Sequence, residues 1–129
     1  MLQLGMLDGK LQEMEQQMAL LEKQINELQM CEMALDEIKQ IKPETEMLSA
    51  ISPGVFVKTK LKKNDEIILN TGAKIFCKKN VEEAKEFVRN KLDSALEIYN
   101  RIAVEMNSIA ETMALLEKEI RAKQQIGQK

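Results

Sequence analysis

Residues 47–79 have the sequence MLSAISPGVFVKTKLKKNDEIILNTGAKIFCKK, in which short apolar runs alternate with turn residues. Val55, Val57, Thr59 and Leu61 share one face and Lys58 and Lys60 the other, and this period of two is typical of a strand. Pro53-Gly54 and Gly72 stand where turns are expected. We therefore predict four strands in two β-hairpins, at residues 47–51, 55–61, 66–71 and 73–78.

Apolar rows with gaps of three and four residues flank this segment on both sides. Such a 3.5-residue period produces a seam that must be buried against another helix. The N-terminal row consists of Leu4, Leu7, Leu11, Met14, Met18, Leu21, Ile25 and Leu28. The C-terminal row consists of Leu92, Ala95, Tyr99, Ile102, Met106, Ile109, Met113, Leu116 and Ile120. A coil that is interrupted by hairpins and then resumes is most simply an antiparallel helical hairpin.

The predicted fold class is thus mainly α with β: a long antiparallel coiled-coil hairpin with two central β-hairpins. We expect one domain, with an N-terminal coil helix at 1–42, a β-hairpin segment at 43–79 and a C-terminal coil helix at 80–125. Asn80 is a favourable N-cap for the second helix, and Glu83 stands where a capping box has its acid.

Two details of the helix pairing can be predicted. After Leu28 the next core position is occupied by Glu32, so the apolar row is expected to slip to Cys31 and continue through Leu35 and Ile38. Matching the two rows in antiparallel order is expected to place Leu28 opposite Tyr99, Leu4 near Lys123 and Leu11 near Leu116.

Charge and hydropathy exclude several classes of partner. The chain has 19 basic and 21 acidic residues, a net charge of −2, which is unlike a general polyanion binder, so we expect no nucleic-acid partner. No stretch approaches the ~20 apolar residues of a bilayer span, and the N-terminus lacks the pattern of a secretory signal. We therefore expect a cytoplasmic protein without a membrane partner.

The residues that most enzymes require are missing from the sequence. Histidine is absent, and no phosphate loop, dinucleotide fingerprint or nucleophile elbow is present. Neither Cys31 nor Cys77 belongs to a CxxC pair, and without histidine a zinc site has too few of its usual ligands. We therefore predict two buried or half-buried reduced thiols, no metal and no cofactor. Asp8, Glu15 and Glu22 recur every seven residues beside the seam, where charges direct helix pairing. The chain is not expected to be an enzyme.

The two chain ends carry more apolar residues than one two-helix seam can bury. If the helices fold back, these ends meet at one distal tip, roughly 50–60 Å from the sheets by helix rise. Such a surplus usually indicates a binding surface, although fraying of the helix ends is an alternative explanation. The predicted binding residues at the tip are Leu2, Leu4, Met6, Leu7, Leu11, Leu115, Leu116 and Ile120.

Three stretches together resemble the alpha class of prefoldin subunits: SAISPGVFVK at 49–58, DEIILNTGA at 65–73 and VEEA at 81–84. With the flanking coils the resemblance covers essentially the whole chain, and its short length is similar to the archaeal form. It implies a hexamer of two alpha and four beta subunits, with a double β-barrel body and coiled-coil tentacles. It also implies an ATP-independent holdase that captures unfolded client proteins at the coil tips and passes them to a group II chaperonin.

Isolated hairpins are marginal in water and leave strand edges unpaired, so we expect the β segment to associate with other chains through its sheets. The resemblance implies that this association forms a multi-subunit barrel. The residues predicted to face its core are Val55, Val57, Leu61, Ile67, Leu69, Ile75 and Cys77. An alternative hypothesis is a structural scaffold or filament protomer without client transfer. A third, a transcription-associated coiled-coil factor, is less consistent with a sheet that interrupts the coil.

Overall fold

The computed structural model describes residues 2–127, which form two long helices and four short strands. The elements are α1 (Leu2–Gln40), β1 (Glu46–Ser52), β2 (Val55–Lys60), β3 (Ile67–Gly72), β4 (Ile75–Lys79) and α2 (Val81–Gly127). β1 pairs antiparallel with β2, and β3 pairs antiparallel with β4, as two separate two-stranded sheets. The predicted fold class of two long helices with two central β-hairpins is confirmed. Neither helix, over its described residues, is apolar enough to span a membrane.

The chain divides into two compact units. The first, here called the coil unit, contains the chain up to Asn26 and from Asp93 onward. The second, the hairpin unit, contains Glu27–Leu92 and therefore all four strands.

The predicted apolar rows form the seam between α1 and α2 in the coil unit. Each predicted seam residue there is buried or half-buried, and Met14, Ile25 and Ala95 are the most buried. The helices are antiparallel, because Leu4 near the start of α1 and Ile120 near the end of α2 line the same small concavity. These contacts confirm the helical hairpin that the 3.5-residue period predicts.

The predicted register of the two rows is wrong at Tyr99. The Tyr99 hydroxyl donates a hydrogen bond to Glu22 Oε1 at 2.9 Å, whereas Leu28 packs on the core of the hairpin unit. Leu4 and Lys123 line one concavity, but Leu116 lines it too, so this proximity does not by itself select the predicted register. Periodicity alone leaves the register open, because sliding one apolar row along another still places apolar layers together; the polar contacts beside the seam select one alignment.

The hairpin unit has a small core of its own. Leu35 of α1 packs with Val81, Ala84 and Val88 of α2, and Leu28, Ile67, Leu69 and Phe87 lie against this cluster. Ile67 and Leu69 are alternate residues of β3, so one face of the β3–β4 hairpin lies on the helices. The helices therefore stabilise a hairpin that would be marginal alone.

The predicted slip of the seam to Cys31 is wrong. Cys31 is exposed, whereas Glu32 keeps the expected core position, half-buried, with its carboxylate 3.4 Å from the Arg89 guanidinium. The α1 sequence alone could not show this, because the cation that compensates Glu32 lies on the other helix. Because the half-buried Glu32 has a fixed partner in Arg89, this ion pair also favours one register of the two helices over the adjacent registers.

Three ion pairs run along this flank of the hairpin unit. Asp36 pairs with Lys85 at 2.5 Å, and Lys39 pairs with Glu82. Glu32 pairs with Arg89, and Asp36, one turn later in α1, pairs with Lys85, one turn earlier in α2. Antiparallel helices require this order. The hydrogen bond from Lys39 lowers the pKa of the Glu82 carboxyl, and the hydrogen bond to Asp36 raises the pKa of Lys85.

The two hairpin turns differ in their backbone geometry. In the first, Pro53-Gly54 links the paired residues Ser52 and Val55, and the positive φ of Gly54 (80°) suits a type II turn. In the second, Ala73 and Lys74 both have positive φ (47° and 64°), as in a type I′ turn. The turn predicted at Gly72 thus lies one residue later, and Gly72 itself ends β3.

Side-chain hydrogen bonds close the helix ends that adjoin the strands. Asn80 and Glu83 form the predicted reciprocal cap, with the Glu83 N–H donating to Asn80 Oδ1 at 2.7 Å and the Asn80 N–H to Glu83 Oε1 at 3.4 Å. At the end of α1, Asn64 Nδ2 donates to the carbonyls of Lys39 (3.3 Å) and Ile41 (3.1 Å). Asn64 therefore fastens the β2–β3 connector to α1.

Replacing Asn64 with Ala should lower the free energy of unfolding by about 1–2 kcal/mol, because two carbonyls at a helix end lose their donors. The measurement is thermal and urea unfolding of the full chain followed by circular dichroism. Asn64→Asp keeps the shape of the side chain and removes its N–H donors, so it should lower the free energy of unfolding by at least as much as Asn64→Ala does. The exposed Asn90→Ala is the matched control; equal losses at Asn90 and Asn64 would contradict the role of the connector.

Candidate functional site

The eight predicted tip residues all lie in the coil unit, and the structure separates them into two groups. Five are half-buried and belong to the seam: Leu4, Leu7, Leu11, Leu116 and Ile120. The other three face solvent, with exposed fractions of 83% for Leu2, 70% for Met6 and 63% for Leu115. We call these three, with the concavity beside them, the tip surface.

The concavity brings the first turn of α1 against the last turns of α2. Leu4, Leu116 and Ile120 supply its apolar lining, and Gln3, Glu119 and Lys123 supply its polar rim. One acid and one base leave the rim without a charge bias. The concavity is therefore of mixed polar and apolar character, and the exposed apolar area of the tip surface comes mainly from Leu2, Met6 and Leu115.

The hairpins carry the second group of predicted residues. Ile67 and Leu69 contact the core of their own chain, and Leu61 and Cys77 are half-buried. Val55, Val57 and Ile75 are exposed. Assembly through these residues stays a prediction, but two of the seven already have an intrachain partner.

Sequence reasoning missed the more exposed apolar residues of the hairpins. Among them are Leu48 and Phe56 in the first hairpin and Ile68 and Phe76 in the second; all four are more than half exposed. We call these four the open face. Alternation could not identify it, because Ile67, Ile68 and Leu69 are consecutive aliphatic residues and give both faces of β3 an apolar character.

The described residues show no arrangement typical of catalysis. Among residues 2–127 no three or more Cys, Asp and Glu side chains cluster in a way that could hold a metal ion. Cys31 and Cys77 are free thiols; Cys77 is half-buried as predicted, whereas Cys31 is exposed, so the burial predicted for Cys31 is wrong. The side-chain polar contacts of the described residues lie between the helices, within one helix, within the hairpin segment or at helix ends.

In the coil unit, Glu22 of α1 forms a side-chain hydrogen bond to α2 beside the seam. Its carboxylate accepts the hydrogen bond of Tyr99, and that hydrogen bond together with the adjacent negative charge raises the pKa of the Tyr99 phenol. Glu22 is one of the three acids that recur beside the seam. Its predicted role in helix pairing therefore has a defined partner in this structure.

Comparisons with known proteins agree with one another. The family model described as "Prefoldin subunit" matches residues 7–126. A prefoldin subunit alpha of Thermofilum pendens is 24% identical over 110 residues, which are 85% of each chain. The fold is similar to that of the filamentous PFD from Methanocaldococcus jannaschii, solved by cryo-EM, with a TM-score of 0.76 at 16% identity over 88% of this chain and 93% of that chain.

Glu22→Gln should lower the pKa of Tyr99 toward its ordinary value near ~10, because the phenol loses the charge that opposes its ionisation. Tyr99 is the only tyrosine and tryptophan is absent, so ultraviolet absorbance follows its titration directly. Because the folded pKa is the raised one, the contact stabilises the fold below pH ~10 and is lost as pH rises through the folded pKa.

Glu15→Gln, one heptad earlier beside the same seam, is the control for this titration and should leave the Tyr99 pKa unchanged. If both substitutions shift the Tyr99 pKa equally, general surface charge is responsible and the assigned alignment is wrong.

Proposed function

Since this chain belongs to the prefoldin family, whose members are chaperone subunits, we propose that it is a holdase subunit that captures unfolded polypeptides at the tip surface. Capture is proposed to need no ATP, and the client is proposed to pass to a group II chaperonin. The observation that supports this proposal is the exposure of the apolar side chains of Leu2, Met6 and Leu115 in the coil unit.

The physical argument is one of weak binding repeated several times. Each apolar side chain that a client buries contributes on the order of 1.5–3 kcal/mol before ordering costs. One tip surface therefore binds weakly and releases its client readily. Several tips acting together in one assembly raise the effective affinity without a deep pocket.

We propose that assembly uses the hairpins and that the partners are beta-class subunits, in a hexamer of two alpha and four beta chains. Each hairpin has unpaired strand edges within the described chain, and the open face leaves Phe56 and Phe76 exposed. Pairing of these edges with other subunits would satisfy the backbone groups and cover the aromatic rings. A cytoplasmic location, where free thiols persist, fits the two unbridged cysteines.

A scaffold or filament protomer without client transfer is the second candidate. The similarity to the filamentous PFD from Methanocaldococcus jannaschii favours it, and an open face can join copies of one chain as well as different chains. Native mass measurement of the co-purified complex separates the two architectures, because a closed hexamer gives one mass and an open filament gives a ladder of masses.

Replacing Leu2, Met6 and Leu115 together with Ser should reduce aggregation suppression several-fold, because the client loses its apolar contacts. Deleting residues 1–9 and 118–129 should abolish it. The measurement is light scattering of a chemically unfolded model protein in the presence of the assembled complex. Both variants should still assemble as hexamers, with a mass that differs from that of the unmodified complex only by the atoms removed.

The matched control is Leu20→Ser with Val104→Ser, since these coil residues are as exposed (66% and 68%) but lie outside the tip surface. The control should suppress aggregation like the unmodified complex. Equal loss in the control and the tip variant would assign capture to the whole coil. An assembled but fully active truncation would exclude the tip surface, and no suppression by the unmodified complex would favour the scaffold.

A further inference from the structure

The hairpin unit has a concave surface whose charge differs from that of the rest of the chain. Four lysines line it: Lys60, Lys62, Lys63 and Lys78. Glu66 is the single acid among them, and its carboxylate lies 3.5 Å from the Nζ atoms of both Lys63 and Lys78. We call this surface the lysine hollow. The chain as a whole carries a net charge of −2, so the hollow is a local exception.

The positive charge of the hollow is only partly neutralised. Glu66 is shared by two of the lysines, whereas Lys60 and Lys62 form no ion pair within the part of the chain that the structure describes. A neighbouring concavity is balanced, with Lys63, Lys78 and Lys79 against Asp65, Glu66 and Glu83. The excess of positive charge therefore lies on the side of Lys60 and Lys62.

The hollow also has an apolar component. Leu61 and Ile68 line it between the lysines, and the Ile68 side chain is 63% exposed. Ile68 pairs with Lys78 across the β3–β4 ladder, so both side chains project from the same face of the hairpin. The hollow therefore combines one exposed aliphatic side chain with the two unneutralised cations of Lys60 and Lys62.

The backbone of the hollow is held in place before any ligand arrives. The connector that carries Lys62 and Lys63 is fastened to the end of α1 by the two hydrogen bonds of Asn64. The start of the connector is fixed by the Leu61 N–H, which donates to the Thr45 carbonyl at 3.1 Å. A fixed backbone lowers the ordering cost of binding.

We propose that the lysine hollow is a docking site for an acidic peptide segment that carries an aliphatic side chain between its carboxylates. The carboxylates would pair with Lys60 and Lys62, and the aliphatic side chain would cover Ile68. This site is separate from the tip surface and does not depend on the proposed capture of clients. It shares Ile68 with the open face, so the proposal concerns the chain whose open face is not covered by another subunit.

A peptide fits the hollow better than a nucleic acid does. A nucleic acid needs many cations along a continuous track, whereas Lys60 and Lys62 are the two unneutralised cations of the hollow. A sugar-phosphate backbone also leaves Ile68 without an apolar partner. A short acidic peptide can pair with both cations and also cover the Ile68 side chain. Its carboxylates are fewer than the phosphates of a nucleic acid, so the acidic helices repel it less.

The test uses the full chain and a dye-labelled nine-residue peptide with one leucine among eight acidic residues, followed by fluorescence anisotropy at several salt concentrations. We expect salt-sensitive binding that Lys60→Gln with Lys62→Gln weakens by about tenfold. Lys60→Arg with Lys62→Arg keeps the charge and should retain binding within about twofold. Replacing the leucine of the peptide with serine should weaken binding about threefold or more.

Lys79→Gln is the matched control, because it removes one cation from the balanced concavity beside the hollow. It should change the affinity by less than about twofold. Equal weakening by Lys79→Gln and by the Lys60/Lys62 glutamine pair would overturn the proposal in favour of general charge attraction. Absence of peptide binding, indifference to the leucine, or tighter binding of a single-stranded oligonucleotide of equal charge would overturn it as well.

Discussion

The seam between α1 and α2 is the interaction on which the rest of this structure depends. A two-helix seam buries one stripe of each helix and leaves the remaining surface to solvent. Within the coil unit Met14, Ile25 and Ala95 are the residues that become buried. With so little interior, stability has to come from regular apolar layers, and the alignment has to come from polar contacts beside them, such as that between Glu22 and Tyr99.

The hairpin unit shows how the same helix pair supports a sheet. A two-stranded hairpin has only one way to bury a face within its own chain, which is to lie on a helix. Ile67 and Leu69 do so against the cluster that contains Val81 and Val88. The opposite face, with Ile68 and Phe76, remains open for the same geometric reason. Exposed apolar area on the hairpins is thus a direct consequence of a helix pair that can cover only one side of the sheet.

The sequence predicted the helices, the seam residues and the hairpins because each depends on a period within one segment. It also predicted the Asn80–Glu83 cap, which is a local four-residue pattern. The register, the core position of Glu32 and the open face could not be predicted in this way. Each depends on a partner distant in sequence: Tyr99 for Glu22, Arg89 for Glu32, and the helix cluster for Ile67.

The candidate sites follow the same division between local and distant information. Surplus apolar residues at the chain ends identified the tip, but only the packing shows that Leu4 and Leu116 belong to the seam while Leu2 and Leu115 remain exposed. A seam residue contributes to helix pairing whether or not a ligand is present, so its substitution changes folding and binding together. An exposed residue costs little to remove from the folded state. At the tip surface, substitution of exposed residues such as Leu2 and Leu115 therefore tests binding without changing the stability of the fold.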